Sequence, residues 1–434
     1  MTVKKLIKFV KIKELKPAQL KRIIERNQQN LSTISDSVQK ILTDIKENGD
    51  KSLLKYERLF DKVIFTSKKL KVTDRDISKA YARTSPPVVR AIEKAAKRIE
   101  RVHKKQIPRE KILDSVKGVK VKQIFKPINT VGVYIPGGKA PYVSTALMTV
   151  IPAKIAGVRK IIACSPPSEK GEINSAILIA LKRAGVNEIY RVGGAQAIGA
   201  MTYGTETIQK VDKIVGPGNI YVTAAKKLVY GEVGIDFPAG PSEILIYANK
   251  SADSKIVAID LIAQAEHDPN SVAILLTTSE NFASKVNRSI RRLIEVEDRK
   301  TIISSALAKN CILAVANDEK AAVDFINSFA PEHLAVFGKD LHWVKRTINN
   351  AGSVSVGEYT PVAATDYAVG SNHVLPTGGS ARFSSGLTVC DFLKAITVQS
   401  LTKEGIKKLA RTIVTLSEAE GLHAHARSVK ARLS

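Results

Sequence analysis

The 434-residue chain has few cysteines, few aromatic residues and no long apolar run. Cys164, Cys311 and Cys390 lie far apart and form no CxxC pair, so a disulfide framework is not expected and buried thiols in a reducing compartment are favoured. No apolar stretch reaches the ~18 residues of a membrane helix. The basic start, residues 1–16, has neither a sustained apolar segment nor a small-residue cleavage site. We therefore expect these residues to belong to the folded protein and the protein to be cytoplasmic.

The net charge is strongly positive and unevenly distributed. The sequence has 68 Lys and Arg against 41 Asp and Glu, a net charge of +27, and residues 1–130 alone hold 34 against 14. Such a basic stripe can attract nucleic acid or an anionic surface. However, aromatic residues make up only 5% of the chain, and no zinc finger or arginine-rich tail accompanies the charge. We predict a solvated helical surface without a specific nucleic-acid partner; the purpose of the excess charge stays open.

The two ends of the chain have helical patterns. From about residue 17 to 109, apolar residues recur at three-to-four spacing between charges, so residues 1–126 are predicted as a basic helical N-terminal region. Asn48-Gly49-Asp50 interrupts this pattern. Residues 386–434 are predicted as a C-terminal helical tail with a polar, histidine-containing interruption.

Apolar strands alternate with helices in residues 127–240 and again in residues 241–385. The strands predicted in the first stretch are 130–135, 160–164 and 188–192, with helices at 143–157, at 172–185 and after Gly194. The strands predicted in the second stretch are 243–247, 272–278, 312–316, 334–337 and 354–356, with helices at 256–266, 280–296 and 319–328. Alternation of this kind is typical of parallel sheets. The predicted fold class is therefore α/β, with two Rossmann-like parallel-sheet units between the helical ends.

Glycines occur at the predicted strand ends, at 137–138, 193–194, 216–218, 240 and 378–379. At the carboxyl edge of a parallel sheet such turns let a ligand approach the backbone and the helix N-termini. None of them matches GxGxxG with an acidic residue about twenty positions later. Their spacing alone leaves both nucleotide binding and simple tight turns open.

Several longer motifs are more specific. They are VGVYIPGG (131–138), GGAQAI (193–198), VDKIVGPGN (211–219), AGPSE (239–243), QAEH (264–267), PEHL (331–334), DY (366–367) and NHVLPT (372–377). In these motifs and their order the chain resembles the histidinol dehydrogenase family over nearly its whole length, most weakly in the basic N-terminal region. The resemblance implies a zinc enzyme that oxidises L-histidinol through L-histidinal to L-histidine with two NAD, the last step of histidine biosynthesis.

The resemblance implies one zinc ion per subunit, held by Gln264, His267, Asp366 and His425. Gln264 and His267 are three apart near a helix end and project from one face; without the resemblance they would be interpreted as a helix-surface pair. Nitrogen and oxygen donors suit zinc, although Mn²⁺ or Co²⁺ could occupy such a site, and the metal used in the cell stays open. Thr365 stands where the family commonly has glycine. Because a β-branched residue disfavours positive φ, the loop around Asp366 could differ from the family's.

The resemblance also implies the substrate contacts. They are Ser242, Gln264, His267, His333, Asp366, Glu420 and His425. Glu420 and His425 belong to a tail that crosses to a partner subunit in this family, which implies an obligate homodimer with shared active sites. No role is assigned to the nearby His423, which we expect to be exposed.

Glu332 and His333 are the acid–base pair that the resemblance implies; spacing alone would suggest an ordinary loop before a strand. A neutral imidazole can accept a hydroxyl proton as hydride leaves. Neighbouring residues of a strand point to opposite sides. Either the chain after Pro331 is irregular, or the two side chains flank the substrate.

Tyr134, Gln196 and Asn219 match the family's NAD-contacting positions. Each also has a structural interpretation, such as a packed strand residue for Tyr134 and a turn former for Asn219.

Oxidation of an aldehyde to an acid commonly uses a cysteine thiohemiacetal. Because none of the three cysteines lies in a glycine-rich turn, a hydrate route is favoured.

Overall fold

The computed structural model describes residues 7–25, 31–113, 117–137 and 141–433. Gly138, which ends the first motif, lies outside the described residues. Within them the chain forms two parallel sheets, one antiparallel sheet and the helices around these sheets. No helix in the described ranges combines the length and the apolar character needed to cross a membrane.

The N-terminal region is mostly helical. Its elements are β1 (Lys8–Lys11), α1 (Pro17–Ile24), α2 (Leu31–Tyr56), α3 (Ser67–Leu70), α4 (Asp74–Arg83), α5 (Pro86–His103), β2 (Lys111–Ile112) and β3 (Val119–Pro127). Gly49 has a φ of 51° inside α2, so the interruption predicted there is a kink between two helical stretches. A π-helical turn, Glu57–Asp61, follows α2 directly.

The first α/β unit has five parallel strands. Its elements are β4 (Thr130–Tyr134), α6 (Val143–Ala156), β5 (Lys160–Ser165), α7 (Ser175–Ala184), β6 (Glu188–Arg191), α8 (Gly194–Tyr203), β7 (Lys213–Val215), α9 (Ile220–Val229) and β8 (Gly234–Ile235). The strand order is β6-β5-β4-β7-β8. This is the order of a nucleotide-binding unit whose topological switch point lies between β4 and β7.

Helices cover both faces of this sheet. α6 and α7 pack on one face and α8 and α9 on the other. The N-terminal helices form an outer layer, with α4 and α5 against α6 and α7, and α2 against α8 and α9. The strands are buried on both sides, which explains why they appear in the sequence as continuous apolar runs.

The second unit repeats this topology. Its elements are β9 (Glu243–Ala248), α10 (Ser254–Ala265), β10 (Val272–Thr277), α11 (Glu280–Leu293), α12 (Lys300–Asn310), β11 (Cys311–Val315), α13 (Glu319–Phe329), β12 (His333–Phe337), α14 (Val344–Thr347), β13 (Ser353–Val356) and α15 (Val362–Ala364). The parallel order is β1-β11-β10-β9-β12-β13, so β1 from the N-terminal region forms one edge. The two Rossmann-like units confirm the predicted fold class.

The end of the chain forms an arm and a tail. β14 (Leu393–Leu401) pairs antiparallel with β3 over nine residues, and β2 pairs with the other edge of β3. The tail consists of α16 (Lys403–Ala419) and α17 (His423–Lys430), which pack on each other while α16 also contacts β14. The exact domain boundaries stay a prediction, because the N-terminal region gives β1 to the second parallel sheet, β2 and β3 to the antiparallel sheet, and helices to the outer layer of the first unit.

Candidate active site

The carboxyl edge of the first sheet lies close to the amino edge of the second. Thr145, in the first turn of α6, has its Oγ1 3.5 Å from His373 Nε2. Further along the same loop, the Gly378 N–H donates to Glu243 Oε1 at 3.0 Å, and Glu243 begins β9. Residues 372–378 therefore join the two edges, and we call this place the junction. In the second unit these polar side chains lie at the amino edge of the sheet. The glycine turns in the sequence instead predict ligands at carboxyl edges. Gly240, one of these glycines, precedes the strand β9 and does not follow a strand of this unit.

Three histidines from different elements meet at the junction. His267 follows α10, His333 begins β12, and His373 lies in the loop that continues to Gly378. Burial, with smaller contributions from His373 and His267, lowers the pKa of His333 to about 3. Burial also lowers the pKa of His373 to about 4 and lowers the pKa of His267. All three imidazoles are neutral near pH 7 and available to accept a proton or bind a metal ion.

The chain is irregular at Glu332, which lies just before β12 and after Ala330 with its φ of 48°. Glu332 Oε1 is 3.9 Å from His333 Nε2, so the adjacent side chains face the same space. Glu332 Oε2 accepts a hydrogen bond of 2.7 Å from the Glu243 N–H. This places the carboxylate beside Ser242, the predicted substrate contact. Of the two arrangements that the sequence leaves open, the irregular chain is the one observed.

Asp366 lies in a second π-helical turn, Thr365–Val369. Its Oδ1 is 3.5 Å from His373 Nδ1. Burial raises the pKa of Asp366 to about 7. Thr365 has a φ of −63° and a ψ of −43°, so a β-branched residue fits this position in ordinary helical backbone.

The side chain of Gln264 is buried and has a polar atom without a hydrogen-bond partner. Its side chain is 4% exposed in the last turn of α10, and its Nε2 makes no hydrogen bond. Because the amide oxygen and nitrogen can exchange places, Gln264 can present an oxygen to a ligand at the same point. His267, the other ligand predicted near this helix end, follows α10.

Within the described ranges, no group of three or more His, Cys, Asp or Glu side chains could hold a metal ion. The predicted zinc ligands could not form such a group in one chain. Gln264 is of another type, and His425 is expected from a second copy. By type, the side chains of His267, Asp366 and Gln264 nevertheless offer the nitrogen and oxygen donors that zinc binds.

Glu420 and His425 are exposed on the tail. Across the described residues, no hydrogen bond or ion pair links either of them to Gln264, His267 or Asp366. In the described part of the chain the larger contacts of the tail are those between α16 and α17 and those of α16 with β14, so these contacts do not bring Glu420 and His425 to the other predicted site residues.

Tyr134 and Gln196 both lie at the carboxyl edge of the first sheet. The Tyr134 hydroxyl accepts a hydrogen bond of 3.1 Å from the Gly194 N–H, where α8 begins, and Gln196 lies in the same helical turn. Both side chains are buried, at 3% and 1% exposure. Asn219 is exposed and caps α9, accepting hydrogen bonds of 3.0 Å from the N–H groups of Tyr221 and Val222. Tyr134 and Asn219 thus have structural roles, with no conflict with a ligand contact.

Two of the three cysteines are buried and are therefore poorly placed for nucleophilic attack. Cys164 in β5 and Cys311 in β11 are buried. Burial raises the pKa of both thiols, that of Cys311 to about 12. Cys390 is exposed near Gln106, with its Sγ 3.7 Å from the Gln106 carbonyl oxygen. A thiolate is therefore disfavoured in both sheets.

The sequence motifs indicate no role for His373, Glu57 or Asp61. His373 stands in a family motif beside Asn372, which is a signal that could have identified it. Glu57 and Asp61 lie in the N-terminal region, and nothing in their local sequence connects them with Gln196, which donates to both carboxylates.

The chain is similar to known proteins over nearly its whole length. The family model for histidinol dehydrogenase matches residues 24–433. The chain is 51% identical to a histidinol dehydrogenase of Methanocaldococcus jannaschii, over 98% of each chain. It is 46% identical to one of Methanothermobacter thermautotrophicus, over 98% of this chain and 99% of the relative. The crystal structure of histidinol dehydrogenase from Elizabethkingia anophelis superposes with a TM-score of 0.94 at 41% identity, covering 98% of each chain.

The fold, the junction and these likenesses define an NAD-dependent oxidoreductase with two Rossmann-like units. The chain belongs to the histidinol dehydrogenase family.

Proposed function

We propose that this protein oxidises L-histidinol through L-histidinal to L-histidine with two NAD, as the last step of histidine biosynthesis, in the cytoplasm. The observation that carries the proposal is the approach of Glu332 to His333 beside two further neutral histidines at the junction. A neutral imidazole paired with a buried carboxylate is suited to removing a proton from an alcohol.

His333 serves the first oxidation. Its imidazole accepts the hydroxyl proton while the substrate carbon loses a hydride to NAD, which leaves the aldehyde. Glu332 is held by the Glu243 N–H, so its carboxylate has a fixed position next to this imidazole. Burial of the junction retains the reactive amino aldehyde for the second step.

Glu332 serves the second oxidation. It removes a proton from water as the water adds to the aldehyde carbonyl, and the hydrate loses a second hydride to a second NAD. One histidinol, one water and two NAD thereby give one histidine, two NADH and three protons. No thiol takes part, which agrees with the burial of Cys164 and Cys311.

Zinc would be held by Gln264, His267 and Asp366 together with His425 of a second copy of the chain. Zinc, when bound, supplies a Lewis acid that suits the amine and imidazole nitrogens of histidinol. The unpaired buried amide of Gln264 supports this assignment. Ser242 and Glu420 would complete the substrate contacts, and Tyr134, Gln196 and Asn219 would contact NAD.

A homodimer with shared active sites follows from the same proposal. Glu420 and His425 are exposed on the tail. The larger contacts described for the tail are those between α16 and α17 and those of α16 with β14. The arm and tail also expose apolar side chains, at Ile396, Val398, Leu401, Leu416 and Leu422. An exposed apolar surface of this extent is typical of a protein–protein interface.

The test is to incubate the purified protein with histidinol and NAD and to count NADH formed per histidine, before and after chelation. We expect two NADH per histidine, loss of activity with chelator and recovery with zinc. A ratio of one with accumulation of histidinal would contradict the two-step oxidation. Full activity after complete metal removal would contradict the zinc assignment alone.

A further inference from the structure

Two carboxyl groups from the N-terminal region meet at the predicted NAD side of the first unit. Glu57 and Asp61 are four residues apart in the π-helical turn after α2. The Gln196 Nε2 donates to Glu57 Oε1 at 3.1 Å and to Asp61 Oδ2 at 3.4 Å. Glu57 is fully buried, whereas Asp61 is partly exposed. Glu57 thus anchors the pair, and Asp61 is the member that a ligand can reach.

The pair lies where the second strand of the unit ends. A methyl group placed on Gly193 would be 2.6 Å from Pro166 Cβ and 3.4 Å from Asp61 Oδ1, so Asp61 lies beside the residue that follows β5. In nucleotide-binding units of this topology, an acidic residue after the second strand binds the ribose hydroxyls of the dinucleotide. This chain has prolines at 166 and 167 instead, and Asp61 brings a carboxylate to the same place from another region.

Buried polar atoms at this place lack partners. Gln196 is 1% exposed, and its Oε1 makes no hydrogen bond. This oxygen faces the start of α8, since a side chain on Gly194 would come within 2.5 Å of it. An acceptor so deeply buried needs a donor, and a ligand hydroxyl can supply one.

We propose that Asp61, positioned by Glu57 and Gln196, binds the adenosine ribose hydroxyls of NAD and excludes the 2′-phosphate of NADP. The proposal rests on the proposed use of NAD. It assigns a specificity-determining residue to a region outside both Rossmann-like units.

The charge state of the pair fits this role. Burial and the neighbouring Asp61 carboxyl raise the pKa of Glu57, so Glu57 stays protonated near pH 7. The pair then carries one negative charge, on Asp61. One carboxylate can accept hydrogen bonds from two ribose hydroxyls, and it repels a phosphate at the same position.

The experiment is a fluorescence titration of the full-length protein with NADH, with its 2′-deoxyadenosine analogue and with NADPH. Wild-type protein should bind the deoxy analogue about 10- to 100-fold more weakly than NADH, as for a lost hydrogen bond to a charged group. D61A should bind NADH and the deoxy analogue about equally. D61N, which keeps the shape and removes the charge, should narrow the preference for NADH over NADPH at least ~10-fold. D212N is the matched control, because Asp212 accepts a hydrogen bond of 2.9 Å from the Thr130 N–H at the opposite edge of the sheet.

The wild-type titration needs no variant and protects the test against a folding failure of D61A. Equal binding of NADH and the deoxy analogue by wild-type protein would overturn the proposal. An undiminished preference of D61A for NADH over the deoxy analogue would also overturn it, even if the protein oxidises histidinol. If wild-type protein binds no NADH at all, both this proposal and the proposed function fail.

Discussion

His333 Nε2 lies 3.9 Å from Glu332 Oε1, although the two residues are neighbours in sequence and a regular strand would turn them apart. If His333 accepts the alcohol proton, H333N should slow the first oxidation by ~10²–10⁴-fold, the usual loss for a general base. The measurement is the rate of NADH formation from histidinol at saturating NAD, with metal content checked in parallel.

His342, an exposed histidine after β12, provides the matched control. H342N should retain wild-type turnover. Unchanged turnover in H333N with normal metal content would remove His333 from the mechanism.

The exposed position of His425 leads to a complementation test. H425N and H333N should each be nearly inactive, yet co-expression should restore about a quarter of wild-type activity. In a random mixture half of the dimers are mixed, and each mixed dimer has one site with neither lesion. H333N co-expressed with H267N, whose lesions fall in the same half-site, should show no recovery. Absence of recovery in the first pair as well would mean that the tail serves its own chain.

Replacement of all three cysteines separates the hydrate route from the thiohemiacetal route. C164A/C311A/C390S should oxidise histidinol and histidinal at nearly wild-type rates, because Cys164 and Cys311 are packed in sheet cores. Some loss of stability is expected from the two small cavities. A selective loss of histidinal oxidation in a folded variant would favour a thiol intermediate.

The buried ion pair of Lys226 and Asp236 holds the turn at Gly216. Lys226 Nζ donates to the Gly216 carbonyl oxygen at 2.9 Å, and Asp236 Oδ2 accepts from the Gly216 N–H at 2.8 Å. D236N should lower the free energy of unfolding by about 3–5 kcal/mol, because it leaves a buried charge without its partner. Urea unfolding measures this change. Loss of the exposed Lys21–Glu25 pair in K21M should cost at most about 0.5 kcal/mol, and a similar value for D236N would contradict the structural role.

Glu57 should make stability depend on pH. Its pKa is raised by burial and by Asp61, so the folded protein keeps a proton that the unfolded chain releases above its ordinary pKa of about 4.3. The stabilisation by this proton is complete below that value and is lost as pH rises through the raised pKa. The glutamine of E57Q cannot ionise. As the pH rises, the unfolding free energy of E57Q should therefore increase relative to that of wild-type protein. E47Q, at an exposed position of α2, should run parallel to wild-type protein; parallel curves for E57Q would contradict the burial of an ionisable group.

Most strands of the two parallel sheets are predictable because both of their faces are buried. β4, β5 and β9 are near-continuous apolar runs, and the observed ends differ from the predicted ones by about one residue. β1 escapes the prediction because lysines occupy both of its ends. β3 and β14 escape it because they lie in an exposed arm and lack an apolar run. A strand of this kind is defined by its partner rather than by its own composition.

The candidate site is likewise only partly predictable from the sequence. The motifs indicate Glu332, His333 and Asp366, since a motif reports which residues matter, and the structure adds the distances among them. The proximity of Asp61 to Gln196 could not be predicted, because it depends on how α2 packs against α8. Such long-range packing leaves no trace in local spacing.

The pairing of β3 with β14 has a consequence for synthesis on the ribosome. Val119 pairs with Leu401, so β3 leaves the ribosome long before its partner has been translated. Until then, one edge of β3 has no strand beside it and can attach to another nascent chain. Lys120, Lys122 and Lys126 lie along this strand, and their like charges discourage such attachment. Part of the basic excess of the first 130 residues can thus protect the growing polypeptide from such attachment until β14 has been translated.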